Sequence, residues 1–509
     1  MSDIFKEIKT RDKIPTYKYL VDGEWQETRG RKLINIFSPL DGSLVGRVQA
    51  VSKKEAEIVI TSSSLACKDW QAKKLEERAE ILKKAAFLIR KYGQLLSNLL
   101  VLEIGKIKKD AENEVLRSAS MIELTVKEKD WQGEKIIKIN GKTCKITREP
   151  VGLILSIAPF NYPMNLSISK IAPALFSGNT VLLKPPTQGA ITCLYLGQIF
   201  EIAGLPPSVL NILTGKGEEI GDFLVEHDLI NMIAFTGSSS VGKRLAVRAG
   251  MTSLLLELGG KDAAIVLEDA DIKKAASEIA MGAFAYAGQR CTAIKRVFVE
   301  KNKKEEFLKQ LKKATEKEFS VVSDPRDPRA QMGPVISDKQ ADYLEGLLKD
   351  ALKKGAKIIL GGKRFVAERP KKPFYRRILG IPKKLLRLRR GQGRYWEATI
   401  LDNVKPNMRI AWEEQFGPIL PIIEVKNEKE AINLTNASEY GLDVSIFTKD
   451  LKRAGKIAEE LEVGQIFLNS RPQRFPDQFP FTGIKSSGLG TQGIKYAIEA
   501  MTRIKGVRV

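Results

Sequence analysis

Apolar positions along the chain change their period twice. From about Glu77 to Gly105, Ile81, Leu82, Ala85, Leu88 and Ile89 recur on one side of a helical spacing, which predicts an amphipathic helix. After Pro150 come short apolar runs, Val151–Ala158, Thr180–Leu183, Val209–Leu213 and Met232–Phe235, each separated by a helix-length stretch of mixed polarity. Continuous apolar strands alternating with helices predict a parallel sheet covered on both faces. A second series, Ala263–Leu267, Val297–Glu300, Ile358–Leu360 and Pro421–Val425, with an exposed helix over Lys304–Lys317, predicts a second α/β unit. The tail from Phe479 holds turn residues followed by Tyr496–Met501, too little to bury itself, and is expected to pack on another unit or another subunit. No internal repeat of roughly 20 to 50 residues is evident.

Composition agrees with an ordered α/β chain. At 509 residues, 43% hydrophobic and with 40 glycines, the chain exceeds one ordinary core and is far from a disordered composition. Cys67, Cys144, Cys193 and Cys291 lie far apart and His227 is the single histidine, so no disulfide framework and no metal site is expected. Charges at the N-terminus replace the apolar core that a signal peptide needs, and no run is long enough for a membrane span, so a cytoplasmic protein is expected.

The net charge of +23 raises a second class of function, binding to nucleic acid or an anionic membrane. Ten Lys or Arg and no acid stand between Arg369 and Arg390, and the part after Pro382 could form a basic amphipathic helix. A solvated loop is the plainer expectation.

Four stretches carry chemistry. In Gly288-Gln289-Arg290-Cys291-Thr292, a thiol follows the helical pattern Ala275–Ala287 and stands beside a cation, a setting expected to favour the reactive thiolate. In Glu257-Leu258-Gly259-Gly260-Lys261-Asp262, an acid ends the apolar strand Leu254–Leu256, where a partly apolar setting suits a general base, and the glycines let backbone approach a ligand. Pro159-Phe160-Asn161-Tyr162-Pro163 stiffens a loop around an amide of the kind that stabilises an oxyanion. Phe235-Thr236-Gly237-Ser238-Ser239-Ser240-Val241 turns from strand to helix, where backbone amides meet a phosphate. Each has a plainer reading in isolation: an inert buried Cys, a salt-bridged Glu, a turn-capping Asn and an ordinary turn.

Together these stretches resemble the aldehyde dehydrogenase superfamily, over nearly the full chain from about Tyr19. Lys184-Pro185-Pro186-Thr187, Glu413-Glu414-Gln415-Phe416-Gly417-Pro418 and Pro480-Phe481-Thr482-Gly483 stand in the superfamily's order and spacings. The resemblance implies an aldehyde dehydrogenase-like α/β fold. Its parts would be a Rossmann-like cofactor domain over 1–128 and 148–259, an α/β catalytic domain over 260–475 with 369–390 as a basic insertion, and a small β oligomerisation arm over 129–147 and 476–509. It also implies Cys291 as nucleophile, Asn161 with the Cys291 N–H as oxyanion hole, and Glu257 as base. Thiolate addition, hydride loss to a nicotinamide and thioester hydrolysis would then make up the reaction.

By the same resemblance Lys184 would bind the adenosine ribose and Glu414 the nicotinamide ribose, with Gly237, Ser238 and Val241 along the pyrophosphate and adenine; Pro159, Leu258 and Phe416 complete the implied cofactor set. Thr187, where NAD-preferring relatives often carry Glu, leaves room for a 2′-phosphate, so NADP is expected, with NAD as the alternative. The runs Ile-Ala-Pro-Phe-Asn-Tyr-Pro, Gly-Gln-Arg-Cys-Thr-Ala-Ile-Lys-Arg and Gln-Arg-Phe-Pro-Asp-Gln-Phe-Pro-Phe are most similar to non-phosphorylating glyceraldehyde-3-phosphate dehydrogenases. That likeness implies a small phosphorylated aldehyde held by Arg117, Arg290 and Arg474 with Asn161, Tyr162 and Thr292, the three arginines needing an anion if they converge without one. Lactaldehyde or a semialdehyde is the alternative substrate. A homotetramer is expected from the family.

Overall fold

The computed structural model describes residues 5, 7–10, 12, 14–30, 32–131, 133–368 and 393–508. The basic segment 369–390, read as a solvated loop or a basic helix after Pro382, lies outside the described residues.

Two large sheets organise the molecule. In the first, five parallel strands lie in the order Ser253–Glu257, Met232–Thr236, Leu153–Ile157, Thr180–Lys184, Leu210–Ile212. Met232–Thr236 and Thr180–Lys184 are buried at every position, as strands covered by helices on both faces must be. The chain builds outwards from Leu153–Ile157 in one direction, then returns to lay down Met232–Thr236 on its other side. At such a reversal the loops leaving adjacent strands diverge and open a crevice beyond their carboxyl ends. Asn161, Gly237 and Leu258 all lie just after these strand ends.

The second sheet runs Lys357–Leu360, Thr399–Asp402, Ile419–Val425, Arg296–Glu300, Ala263–Val266, Asp443–Phe447, Gln465–Leu468, parallel except at its first pairing. Helix Lys304–Phe319 lies outside it, burying Phe307, Leu311 and Phe319 and exposing Lys309, Lys312, Lys313 and Lys317. Each sheet has its own core: Leu183, Phe176 and Phe200 belong to one, Val297, Phe298 and Ile446 to the other. Burying one such side chain contributes roughly 1.5–3 kcal/mol.

The helix expected over Glu77–Gly105 is two helices, Leu75–Lys91 and Gly93–Ile104. At Tyr92 the backbone leaves helical geometry (φ −99°, ψ 17°). The first helix has an outer polar face, whereas Leu96 to Ile104 are buried all round, so the turn at Tyr92 redirects the chain from surface to core. Apolar spacing continues across the break, which hides it.

A third sheet stands apart: Lys135–Ile139, Lys142–Pro150 and Thr502–Arg508, antiparallel, with Ile136, Ile137, Ile139, Ile504 and Val507 exposed. Before reaching it the tail packs on its own chain, with Gly488–Leu489 pairing to the edge strand Ser253–Glu257. Among the described residues no helix is long and apolar enough to cross a membrane.

Candidate active site

Cys291 follows a turn that the sequence alone does not favour. Helix Ile272–Phe284 ends, and Tyr286, Ala287 and Gly288 take φ of 56°, 52° and 66°, the left-handed region that costs an L-residue roughly 1–2 kcal/mol. Buried packing holds the turn there. Tyr286 stacks edge-on against Tyr162 at 5.9 Å, and a Cβ on Gly288 would lie 2.5 Å from the Gly417 carbonyl. Gln289 anchors the chain as it leaves the turn, its side chain accepting from Ile336 N–H (2.8 Å) and donating to the Pro334 carbonyl (3.2 Å).

Asn161 reaches this turn from the first sheet. Its Nδ2 donates to the Gln289 carbonyl at 3.0 Å, leaving one amide hydrogen for another acceptor. The loop is held from below. Helix Pro163–Phe176 starts with proline in its first turn, and Glu114 caps it by accepting from Met164 and Asn165 N–H at 3.0 and 3.1 Å. Glu114 is paired with buried Lys106, whose ammonium sits 3.4 Å from the Tyr162 ring centre and 4.7 Å from that of Tyr286.

The thiol itself corrects an expectation. Cys291 is half-buried by exposed area but sits deep in the cleft, and burial pushes its thiol up to about 12. The cations that oppose burial are Lys295 and Arg474. Arg290, adjacent in sequence, turns away and donates to the carbonyls of Met281 (3.3 Å) and Gly282 (2.5 Å). Neighbouring side chains diverge on this turn, so adjacency did not make Arg290 the thiol's cation.

Glu257 is the salt-bridged carboxylate of the plainer reading as well as a neighbour of Cys291. Arg474 stands 2.9 Å from its Oε1, and Thr236 donates to its Oε2 at 2.6 Å. Behind Thr236 is buried Lys170, which donates to the Thr236 hydroxyl (2.6 Å), lies 3.8 Å from Glu257 and is pushed down to about 8 by burial.

Two of the three arginines already have carboxylate partners. Arg117 pairs with Asp477 through two contacts of 2.6 and 3.3 Å, Arg474 with Glu257, and Arg290 with carbonyls. They do share one neighbourhood: Arg117 and Arg290 both act electrostatically on Tyr162, and Asp477 on Arg474. Thr292 is buried beside Cys291.

A cleft of about 950 Å³ opens from Cys291 across the strand ends, lined by Pro159, Asn161, Lys184, Gly237, Ser238, Val241, Leu258, Glu414 and Phe416 among others. Lys184 is buried and pushed down to about 8 by burial, and its ammonium donates to the Pro185 carbonyl at 3.3 Å. Helix Ser239–Arg248 presents its first turn, capped by Ser238. A Cβ on Gly259 would collide with Glu414, which accepts from Gly260 N–H at 3.0 Å. A buried cation without a carboxylate among the described residues, a helix start and close-approaching glycines fit an anionic dinucleotide. Thr187 is exposed and outside the lining. Among the described residues no group of three or more His, Cys, Asp or Glu could hold a metal ion.

Sequence reasoning missed Lys170, Lys295 and Asp477: Lys170 and Asp477 meet their partners across distant chain, whereas Lys295 folds back on Cys291 four residues before it. Comparison with known proteins agrees with the geometry. The sequence profile of the aldehyde dehydrogenase family matches residues 25–379 and 380–507. The chain belongs to the aldehyde dehydrogenase family. It is 44% identical over 503 residues to the NADP-dependent glyceraldehyde-3-phosphate dehydrogenase of Streptococcus equinus, covering 96% of this chain and 98% of the relative. It is 40% identical over 498 residues to the enzyme of that name from Pisum sativum, covering 96% and 94%. The crystal structure of the Bacillus halodurans NADP-dependent glyceraldehyde-3-phosphate dehydrogenase complexed with NADP superposes with a TM-score of 0.89 at 42% identity, covering 97% and 98%. The expected family and α/β fold class are therefore borne out.

Proposed function

We propose that this protein oxidises D-glyceraldehyde 3-phosphate to 3-phosphoglycerate with reduction of NADP and without inorganic phosphate. The observation that carries the reading is the similarity, at 44% identity over 503 residues, to an NADP-dependent glyceraldehyde-3-phosphate dehydrogenase, with Arg474 facing Cys291 and with Arg117 and Arg290 facing Tyr162. Lys184, Gly237, Ser238, Val241 and Glu414 would hold NADP, and Thr187 leaves no carboxylate to repel its 2′-phosphate. Bound NADP supplies the hydride acceptor.

The remaining steps belong to the chain. Cys291 gives its proton to solvent water in the cleft and its sulfur bonds to the aldehyde carbon, while the carbonyl oxygen takes the electron pair as an oxyanion. The Asn161 amide hydrogen not given to Gln289 and the Cys291 N–H receive that charge. After hydride leaves the same carbon, the thioester remains on Cys291. Glu257 then takes a proton from water, whose oxygen bonds to the acyl carbon as the C–S bond breaks and thiolate departs. For this Glu257 must turn one oxygen from Arg474 or Thr236 to the water.

The exposed isoleucines of the arm support a homotetramer in which another copy covers them.

Steady-state kinetics of the purified protein decide the substrate. Glyceraldehyde 3-phosphate should exceed lactaldehyde, succinate semialdehyde and acetaldehyde in kcat/KM, NADP should exceed NAD, and added phosphate should change nothing. An unphosphorylated aldehyde used equally well overturns the reading.

A further inference from the structure

The carbonyl of the nucleophile has a partner that the catalytic stretches do not provide. Lys295 is 1% exposed, and its ammonium turns back to donate to the Cys291 carbonyl and, at 3.3 Å, to that of Ala293. Glu414 stands 3.4 Å and Asp262 3.9 Å from the same nitrogen. A buried ammonium has three hydrogens to satisfy and a large desolvation cost. Here the acceptors are the nucleophile's own peptide and the counter-charges are two carboxylates.

The arm is not slack. Lys295 N–H donates to the Asp262 carbonyl at 2.9 Å, and its carbonyl accepts from Gln415 Nε2 at 2.8 Å. The residue is tied by its backbone to the turn after Glu257 and to the segment after Glu414, and by its side chain to Cys291.

We propose that Lys295 is a positioning residue, whose ammonium, anchored by Asp262 and Glu414, orients the Cys291 peptide for attack and supplies the thiol with the positive charge that Arg290 does not. Fixing the carbonyl fixes the peptide plane on the C-terminal side of Cys291, and the charge stabilises the sulfur as it loses its proton. Lys295 is the foremost cation opposing burial at Cys291. The other charged groups facing the thiol are Glu257, Arg474, Asp262 and, more distantly, Lys170. Those facing Lys295 include Asp443, whose carboxyl burial pushes well above its usual range, and Asp262, pushed up to about 7 by burial. The profile must therefore be read well above pH 7, where Asp262 no longer changes charge.

The inference rests on Cys291 being the nucleophile, as proposed above, but its deciding measurement, alkylation of the thiol, uses neither aldehyde nor NADP. Iodoacetamide alkylates a thiolate with loss of iodide, and the Cys291 peptide can be followed by mass spectrometry separately from those of Cys67 and Cys144. In the intact protein, Lys295→Met should move the alkylation profile to higher pH by about one unit, roughly tenfold slower at a fixed pH below it, with kcat falling more than KM rises. Lys295→Arg should restore the profile. Lys295→Gln keeps a donor without the charge and should show the same shift, which also serves if the methionine variant does not fold. An unshifted profile in the methionine or glutamine variant overturns the inference. Turnover in Cys291→Ala would instead overturn the functional reading, whatever the alkylation shows.

Discussion

The two ends of the cleft treat charge in opposite ways. On the dinucleotide side Lys184 is buried with no carboxylate partner among the described residues, in a lining where glycines and a helix start stand among side chains that include Phe416 and Glu414. On the aldehyde side every cation already has a partner: Asp477 for Arg117, Glu257 for Arg474 and two carbonyls for Arg290. The first arrangement waits for an anion; the second makes an anion compete for one. The competition has a chemical consequence, because the partner released from Arg474 would be Glu257.

Removing the centre that both ends serve gives the largest effect. Cys291→Ala should abolish NADPH formation, monitored by absorbance. Glu257→Gln should separate the halves of the reaction: one equivalent of NADPH per site in a rapid burst, then steady turnover lower by roughly 10²–10⁴-fold as the acyl-enzyme accumulates. If the burst is lost along with the steady rate, Glu257 acts before hydride transfer and the proposed order is wrong.

Breaking the aldehyde side should have a smaller and more selective effect. A hydrogen bond to a charged group is worth about 1.5–3 kcal/mol, so Arg474→Met should lower kcat/KM for glyceraldehyde 3-phosphate by about 10- to 100-fold. For an unphosphorylated aldehyde the same variant should lose little, since Glu257 is no longer held. Equal losses on both would mean that Arg474 serves Glu257 alone, and the contrast between the two ends would collapse.

How legible this was depended on distance along the chain. The strands were readable because helix-covered parallel strands are apolar at nearly every position, as in Thr180–Lys184. Cys291, Glu257 and Asn161 could be named because their motifs are local. Their electrostatic partners could not. Arg117 meets Asp477 across 360 residues and Arg474 meets Glu257 across 217, pairings that only the fold creates. Even a local expectation failed at Arg290, because the left-handed turn at Tyr286 and Ala287 sends its side chain away from the thiol, whereas Lys295 returns to it. The break at Tyr92 was hidden for the converse reason: apolar spacing continued while the backbone turned.

The dinucleotide side gives the smallest expected effect and a pH signature of its own. Lys184 is pushed down to about 8 by burial, because no carboxylate among the described residues offsets the loss of water around its ammonium. Its charged form predominates below that pH and its neutral form above, and only the charged form attracts a phosphate. A bound phosphate favours the ammonium in return. NADP affinity should therefore fall as pH rises through about 8, and NAD affinity should change less if the 2′-phosphate is the group Lys184 meets. Lys184→Met should weaken NADP binding roughly tenfold at pH 7 and flatten that slope, with little change for NAD. Fluorescence titration of both dinucleotides across this range tests it. Equal slopes for NADP and NAD would place the buried charge at the ribose or pyrophosphate, and cofactor choice would then have to come from Thr187 and the helix start rather than from Lys184.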